Sequence, residues 1–562
     1  MVTIPDATNK IPMMYRAQTP GRCQLHYIDK NLDKQDVEQW ASEWIEKTYP
    51  DRPQFGGEVR SRTFALSWRF VTNGGQDDGI IRPAIGAFGW PYYPGSSMKG
   101  IFRSACKTEE AERYCGGDDG SGDCFPGILR FHGGYPTSES WQENLVDIVH
   151  PQQDWQVMSD DKSSGAFALI SLVAPELEFG ISSTENLEES EWEKIWEIWE
   201  KALSRGIGCR VSAGYGRASN ADGGVIYSCQ LKGQGMAPRL LDGSAEFRPN
   251  TFKATIRGHA LRIFGGLTDA RTAMRLVEEL FGGVEGDGGV VGLLGMKFET
   301  ESLTIGSFGR GAYKVSTYEV EGTLSWLSSK KLPKERKELL KKLIRALTRF
   351  AMVFGGFGKS WRRADHRKFF PEYYEGEDNK ALIGCHWEWN SDRSLLNDVR
   401  VRKLEKVGEF IDAVREEAIA WMEDSGVAPN PGNCADWREA WHPERVLVWG
   451  RVANDPEDSA VIPWLHGAYR AAILRGDRER SIYKSRVTGF VGRETRVGRL
   501  WHRMYPVVLL KKNPEEPKKP IPKKIPKFLE LVTLFPDGSA EFEDFLDFLE
   551  EDQNRLRLLW GN

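Results

Sequence analysis

PGSSMKGIFR, residues 94–103, decides the fold of this chain, because the stretch NTFKATIRGHALR at 250–262 repeats its pattern. In each, a hydroxyl residue, one spacer, a cation and a glycine stand in a row: Ser97-x-Lys99-Gly100 and Thr255-x-Arg257-Gly258. About a hundred residues after each comes a loop rich in glycine and cations. The first reads GIGCRVSAGYGRAS (206–219) and the second FGGFGKSWRRADHRK (354–368). Each element is weak alone. The same order twice means two copies of one domain, and internal repeats outrank other signals of architecture.

The elements between these landmarks repeat as well. Phe64, Leu66, Trp68 and Phe70 alternate with polar or small residues, as do Val225, Tyr227, Cys229 and Leu231, which predicts a half-buried strand opening each copy. Later strands are expected around Leu177, Phe179 and Ile181, and around Val320, Leu324 and Trp326. Each is followed by an amphipathic helix. Trp192, Ile195, Trp196, Trp199 and Leu203 share one face of the first; Leu340, Leu343, Ile344, Leu347 and Phe350 share one face of the second. Strands and helices interleaved in this way predict an α+β fold, with helices on one face of a mainly antiparallel sheet.

The expected division is an irregular extension at 1–55 with one helix near 34–47, a first domain at 56–224, and a second at 225–512. The second is longer because 371–445, with its own helix at 403–422, reads as an insertion. VLVWGRV (446–452) and RLWHRMYPVVLL (499–510) are expected to return as strands of the second sheet. A Pro/Lys stretch, NPEEPKKPIPKKIPK (513–527), reads as an extended linker, and 528–562 as an acidic tail. Residues 537–552 carry eight acids, with Phe542, Phe545, Leu546 and Leu549 at helical spacing. That tail either docks on the basic stretch 481–512 or is solvated.

Composition narrows the function classes. The net charge of −5 argues against a simple basic nucleic-acid binder. No apolar run approaches a membrane span and no signal-peptide core opens the chain, so the expected location is the cytoplasm. Eight Cys in a chain of 562 residues then read as reduced thiols. Cys106, Cys115, Cys124 and His132 lie too far apart for a tight zinc pair. Cys115 and Cys124 flank CGGDDGSGDC, however, and are either two ligands of a structural Zn²⁺ or free thiols.

Three elements carry chemistry. At the first helix start, Ser96 or Ser97 is expected to cap a helix beginning near Met98, with Lys99 and Arg103 adding charge, so that a phosphate fits there; Thr255, Arg257 and Arg262 are the second copy's counterparts. The glycine-rich loops offer close backbone approach plus Arg217, Lys359, Arg362 and Arg363. GKS at 358–360 is not a nucleotide-binding loop, because that pattern needs Gly where Val353 stands. The loops before the helices hold acids: Asp77 and Asp78 in NGGQDDGIIRP (73–83), and Asp242 in RLLDGSAEFRP (239–249). Asp-Gly is ordinarily a turn. Beside a phosphate site, though, such an acid could hold a divalent metal or take a proton from a ribose 2′-OH.

Taken together, NGGQDDGIIRPAIGAFGWPYYPGSSMKGIFRSA (73–105), AGYGRAS, and more loosely TIRGHALR and FGGFGKSWRRADHRKF resemble the RAMP superfamily of CRISPR systems, and in particular the Cas-seven type backbone subunits of type III effectors. The resemblance covers roughly 56–512. It implies two tandem ferredoxin-like, RRM-related domains, the second carrying the insertion, in a fusion similar to type III-D effectors. It further implies a subunit that binds CRISPR guide RNA along its backbone and acts as an endoribonuclease on complementary single-stranded target RNA in antiviral defence. Aligning the family loop on Arg82 puts the catalytic acid at Asp77, with Asp78 adjacent; Asp242 is the second copy's candidate, and Mg²⁺ or Mn²⁺ is the implied cofactor. Ser96, Ser97, Lys99, Arg103, Arg217, Thr255, Arg257, Lys359, Arg362 and Arg363 would position RNA. Further backbone subunits and a large signalling subunit are the implied partners. The alternative is a scaffold that binds guide RNA and cuts nothing. A guide-processing nuclease would need an early catalytic His, and His26 and His259 lack a supporting motif.

Overall fold

The computed structural model describes residues 34–72, 76–77, 80–81, 83–118, 123–149, 154–158, 167–219, 224–240, 243–285, 288–376, 380–470, 480–490, 496–516, 518–551 and 556–562. Helix α1 (Lys34–Lys47) lies where the sequence places it. Its Trp44 is buried and donates from Nε1 to the Gly89 carbonyl at 2.8 Å.

The first unit contains β1 (Arg60–Ala65), α2 (Gly95–Ala105), β2 (Leu129–Pro136), β3 (Glu176–Ser183) and α3 (Glu189–Leu203). β3 pairs antiparallel with both β1 and β2. After the first glycine-rich loop the chain returns beside β1, where Ala218 bridges Leu66. The alternation from Phe64 to Phe70 is therefore interrupted: β1 stops at Ala65, and Arg69–Phe70 pairs instead with Leu172–Val173. The Trp192–Leu203 face of α3 is buried, as its 3.6-residue spacing requires.

The second unit contains β4 (Val225–Met236), α4 (Asn250–Gly265), β5 (Leu294–Phe308), β6 (Val315–Ser328), α5 (Lys334–Phe354) and β7 (His386–Trp389). Its sheet order is β5-β6-β4-β7. Helix α6 (Lys406–Asp424) packs against α5. β7 lies inside 371–445, so that segment is not an insertion as a whole: it supplies the fourth strand of the second sheet.

A third unit follows, which the sequence reading did not separate. It contains β8 (Leu447–Ala453), α7 (Val461–His466), β9 (Leu500–Lys511), β10 (Ile521–Leu534), α8 (Ala540–Glu551) and β11 (Arg557–Trp560), in sheet order β9-β10-β8-β11. The strands at 446–452 and 499–510 thus build a sheet of their own, and the second domain does not run to 512. The expected linker is strand β10 from Ile521 onward. The acidic tail is strand, helix and strand: α8 buries Phe542, Phe545, Phe548 and Leu549. Its acidic side docks on basic neighbours, Arg480 with Asp544 at 3.1 Å and Arg470 with Glu551, while Asp537 just before it faces Arg499 at 3.6 Å. All three units share one plan. In the second and third, strand, helix, two strands, helix and strand follow in sequence with the first strand between the third and the fourth; in the first, a single Leu66–Ala218 bridge takes the place of the fourth strand.

Glu439 ties the units together. Fully buried, it accepts from Arg262 on α4 at 2.8 Å, Arg362 at 2.6 Å and Arg438 at 2.9 Å. Arg438 also donates to the Gln156 carbonyl, and the Glu439 amide to the Val157 carbonyl at 3.0 Å, so the short helix Asp154–Met158 is held too. Arg262 stacks over Trp361 and Trp501, with its guanidinium carbon 5.2 and 4.9 Å from the ring centroids. Burial works against the Glu439 carboxylate, but Arg362, Arg262 and Arg438 outweigh it and hold its pKa down at about 2. Among the described residues no helix is long and apolar enough to cross a membrane.

Removing one partner of a buried ion pair costs about 3–5 kcal/mol. Glu439→Gln leaves three guanidinium groups facing a neutral amide, and we expect a loss of that order in the denaturant midpoint. Substituting the half-exposed pair Lys232–Glu321 should change the midpoint little. The contribution of Glu439 is present above its unfolded pKa and is lost as pH falls toward 2.

Candidate nucleic-acid interface

Helix α2 starts at Gly95, directly after Pro94, and neither Ser96 nor Ser97 makes a side-chain cap. The start comes earlier than the sequence reading put it because Gly95 is pressed onto β2. A Cβ there would lie 2.0 Å from the Phe131 carbonyl. Met98 and Phe102 turn inward, while Ser96, Ser97 and Lys99 are exposed in the first turns. Arg103 is also exposed but lies at the far end, where its Nη1 donates to the Gly116 carbonyl. It does not join Lys99 at the helix start.

The acids flank this face in sequence. Asp77 pairs with Ile80 in a two-residue antiparallel ladder, Gln76–Asp77 against Ile80–Ile81. The Asp77 side chain, Asp78 and Asp242 lie outside the described residues.

The two cysteines expected as possible zinc ligands, Cys115 and Cys124, sit in different settings. Cys115 is buried, whereas Cys124 is exposed on the strand Cys124–Pro126. The neighbouring Cys106 favours the Cys115 thiolate against burial, helped by Lys99 and Arg103, while Cys115 and burial push the Cys106 thiol up. Among the described residues no group of three or more His, Cys, Asp or Glu could hold a metal.

The first glycine-rich loop meets the second unit. Gly206, Gly208, Gly214 and Gly216 all have positive φ, and a Cβ on Gly216 would lie 1.9 Å from the Ile207 carbonyl. Arg217 is an internal strut. It donates to the Arg205 carbonyl at 2.8 Å and the Val211 carbonyl at 3.3 Å, and burial lowers its pKa to about 10. The assignment of Arg217 to RNA is therefore corrected. Two buried links fix the approach to α4. Glu246 accepts from Arg69 at 2.7 Å and Trp68 at 3.0 Å. Asp147 pairs with Arg248 and accepts from the loop's Tyr215 hydroxyl at 2.7 Å.

These links bring the first turn of α4 against the loop. Lys253 is 7% exposed and donates to the Ser212 hydroxyl at 2.7 Å. Among the described residues it makes no ion pair. Burial, then the charges of Arg210 and Arg257, lower its pKa to about 7. Thr255 and Arg257 are 1% and 5% exposed and lie in the second turn, because α4 begins at Asn250. The Thr255 hydroxyl has no hydrogen-bond partner among the described residues. Lys253, Arg210 and Ser212 escaped the sequence reading, although Pro249 marks the α4 start as Pro94 marks α2.

The second glycine-rich loop repeats the relation toward the third unit. Gly356 and Gly358 have positive φ, and Lys359 is exposed. Arg362 turns inward to Glu439, and Arg363 donates to the Thr488 carbonyl at 2.7 Å. Burial lowers the Arg363 pKa to about 10. Arg362 and Arg363 therefore join units rather than face a ligand, leaving Lys359 alone of the three at the surface. In the third unit the start of α7 is filled internally: Glu530 accepts from the amides of Ala460 at 3.0 Å and Val461 at 3.1 Å, and from the Ser459 hydroxyl at 2.5 Å.

No family model matches the chain, and no curated protein matches it. Among solved structures, a chain of the type III-B Cmr-beta complex bound to cognate target RNA is similar over 34% of this chain and 66% of its own, at 19% identity and TM-score 0.22. A chain of a type IV-B CRISPR complex is similar over 28% of this chain and 87% of its own, at 17% identity and TM-score 0.20.

An anion bound at the loop–α4 junction would favour the charged form of Lys253. Single-stranded RNA should therefore bind more tightly at pH 6 than at pH 8, with proton uptake. Lys253→Gln should weaken binding at pH 6 and flatten the profile, both read by fluorescence anisotropy at fixed salt.

Proposed function

We propose that this chain is a backbone subunit of a CRISPR RNA-guided effector, related to the Cas-seven type RAMP proteins of type III systems. On this reading its units are ferredoxin-like and RRM-related, and the fusion is of the type III-D kind. The observation that carries the reading is the junction at which Ser212 of one unit and Lys253 of the next meet, with Arg210 and Arg257 close enough to perturb the lysine. The glycine-rich loop of the first unit, closed over the cationic first turn of α4, offers a phosphate contact of the kind that binding along an RNA backbone uses. The exposed Ser96, Ser97 and Lys99 extend the path across the first unit, and Lys359 across the second. Base pairing by the guide, not side-chain readout, would supply sequence specificity.

The enzymatic part of the proposal rests on Asp77, Asp78 and Asp242. The reaction is attack of a target-strand 2′-oxygen on the adjacent phosphorus. The O2′–P bond forms, the P–O5′ bond breaks, the 2′-proton goes to the acid, and the leaving 5′-oxygen takes a proton from water. A bound Mg²⁺ or Mn²⁺ would supply charge neutralisation at the phosphate. The guide–target duplex would hold the nucleophile in line. The scaffold reading keeps one observation in its favour: Asp77 is part of a tight ladder with Ile80, the place of an ordinary turn residue.

The deciding experiment is cleavage of labelled target RNA by the assembled complex in Mg²⁺, with Asp77→Ala, Asp78→Ala and Asp242→Ala compared to wild type. We expect Asp242→Ala, and one of the two substitutions in the first loop, each to delete one discrete product by at least a hundredfold while RNA binding survives. Persistence of every product in all three variants would make the subunit a guide-RNA scaffold.

A further inference from the structure

The hairpin joining β9 and β10 is a strongly basic arm that nothing in the junction uses. Residues 511–527 contain seven lysines, Lys511, Lys512, Lys518, Lys519, Lys523, Lys524 and Lys527, against Glu515 and Glu516. Two of the lysines have acidic partners: Lys519 meets Glu516 at 2.7 Å and Lys524 meets Glu388 at 2.7 Å. The other five make no ion pair among the described residues, and all five are exposed. The acids of α8 are not their counterions. Two of them, Asp544 and Glu551, engage Arg480 and Arg470.

The ladder sets the shape of the arm. Leu509 pairs with Lys523, Leu510 with Pro522, and Lys511 with Ile521. Cross-strand partners share a face, so one face of the ribbon carries Leu509, Lys511, Ile521 and Lys523 together. Leu509, Leu510 and Ile521 are each more than two-fifths exposed. β8 pairs with β10 only from Phe528 to Leu534, so on the side away from β9 no strand pairs with 521–527 among the described residues. That edge reads IPKKIPK. Proline removes ladder donors and lysine repels a neighbouring basic edge, which together block addition of a protein strand. What remains is charge at close spacing on a narrow ribbon, with aliphatic side chains between.

We propose that the 508–527 hairpin is a second RNA-binding element, which grips the phosphate backbone of a strand leaving the junctions of the first two units. The proposal rests on the reading of the chain as an RNA-binding subunit and adds a separate contact to it. The third unit has no cationic helix start, because Glu530 fills the start of α7. Its RNA contact therefore sits on the hairpin instead.

The test uses the full chain and a single-stranded RNA oligonucleotide, with affinity measured from low to moderate salt. The hairpin variant replaces Lys511, Lys512, Lys518, Lys523 and Lys527 by Gln; a second replaces the same five by Arg. Lys253→Gln serves as the junction control. Each lost phosphate contact makes the slope of log K against log salt shallower by about 0.7. We expect the Gln variant to lose at least two such contacts, a slope change of about 1.4, and the Arg variant to keep the wild-type slope, with unchanged thermal unfolding in both. An unchanged slope in the Gln variant, with Lys253→Gln weakened, overturns the hairpin and leaves the junction standing. A changed slope with Lys253→Gln unaffected supports the hairpin and removes the junction. Absence of RNA binding by wild type overturns both. If poly-glutamate at equal charge displaces RNA from wild type but not from the Gln variant, the arm is a site for an acidic protein, and the proposal fails.

Discussion

One buried carboxylate with three guanidinium partners organises the centre of this molecule. Glu439 comes from the segment before the third unit, Arg262 from the first helix of the second, and Arg362 from the glycine-rich loop that ends the second. Such a group cannot be partly assembled. A lone buried carboxylate or an excess of guanidinium charge would each cost several kcal/mol, so the three segments order together. Trp361 and Trp501, packed edge to face on each other, both lie against the fully buried Arg262 guanidinium. Arg438, through the Gln156 carbonyl, extends this order to the short helix Asp154–Met158.

The same economy appears at the boundary between the first two units, with different parts. Arg69–Glu246 and Arg248–Asp147 hold the approach to α4, and the glycine-rich loop closes over the first turn of that helix. In both places the loop of one unit is finished only by the next. The glycines make this possible: Gly216 and Gly356 have φ values of 60° and 89°. Any side chain there would be strained, and on Gly216 it would also meet the Ile207 carbonyl.

Much of the fold was legible in the sequence. The tryptophan face of α3 and the leucine face of α5 fell where their spacing put them, and the strands opening the first two units were found from alternation. The third unit was not, for physical reasons. Its first helix is only six residues long. Its helix start is satisfied by Glu530, seventy residues away in sequence, and half of β10 is written in prolines and lysines that read as linker. Of the candidate site, Lys99 and Lys359 reached the surface as expected. Arg217, Arg362 and Arg363 did not. A glycine-and-arginine loop looks the same whether its cations face solvent or distant carbonyls, and only the tertiary partners separate the cases. Lys253 was missed because Thr255, Arg257 and Arg262 were taken as the counterparts of the first helix start, whereas α4 begins earlier, at Asn250.

Lys253 has one more consequence. A buried ammonium held mainly by a serine hydroxyl, with two other cations near, weakens the surface that contains it. Between separate proteins such a surface would have to overcome the lost freedom of two bodies as well. Within one chain the partner is always present, at an effective concentration fixed by a tether of a few residues between Ala218 and β4. Covalent fusion thus lets the boundary retain a buried lysine that makes no ion pair among the described residues, which a freely associating pair would tend to shed.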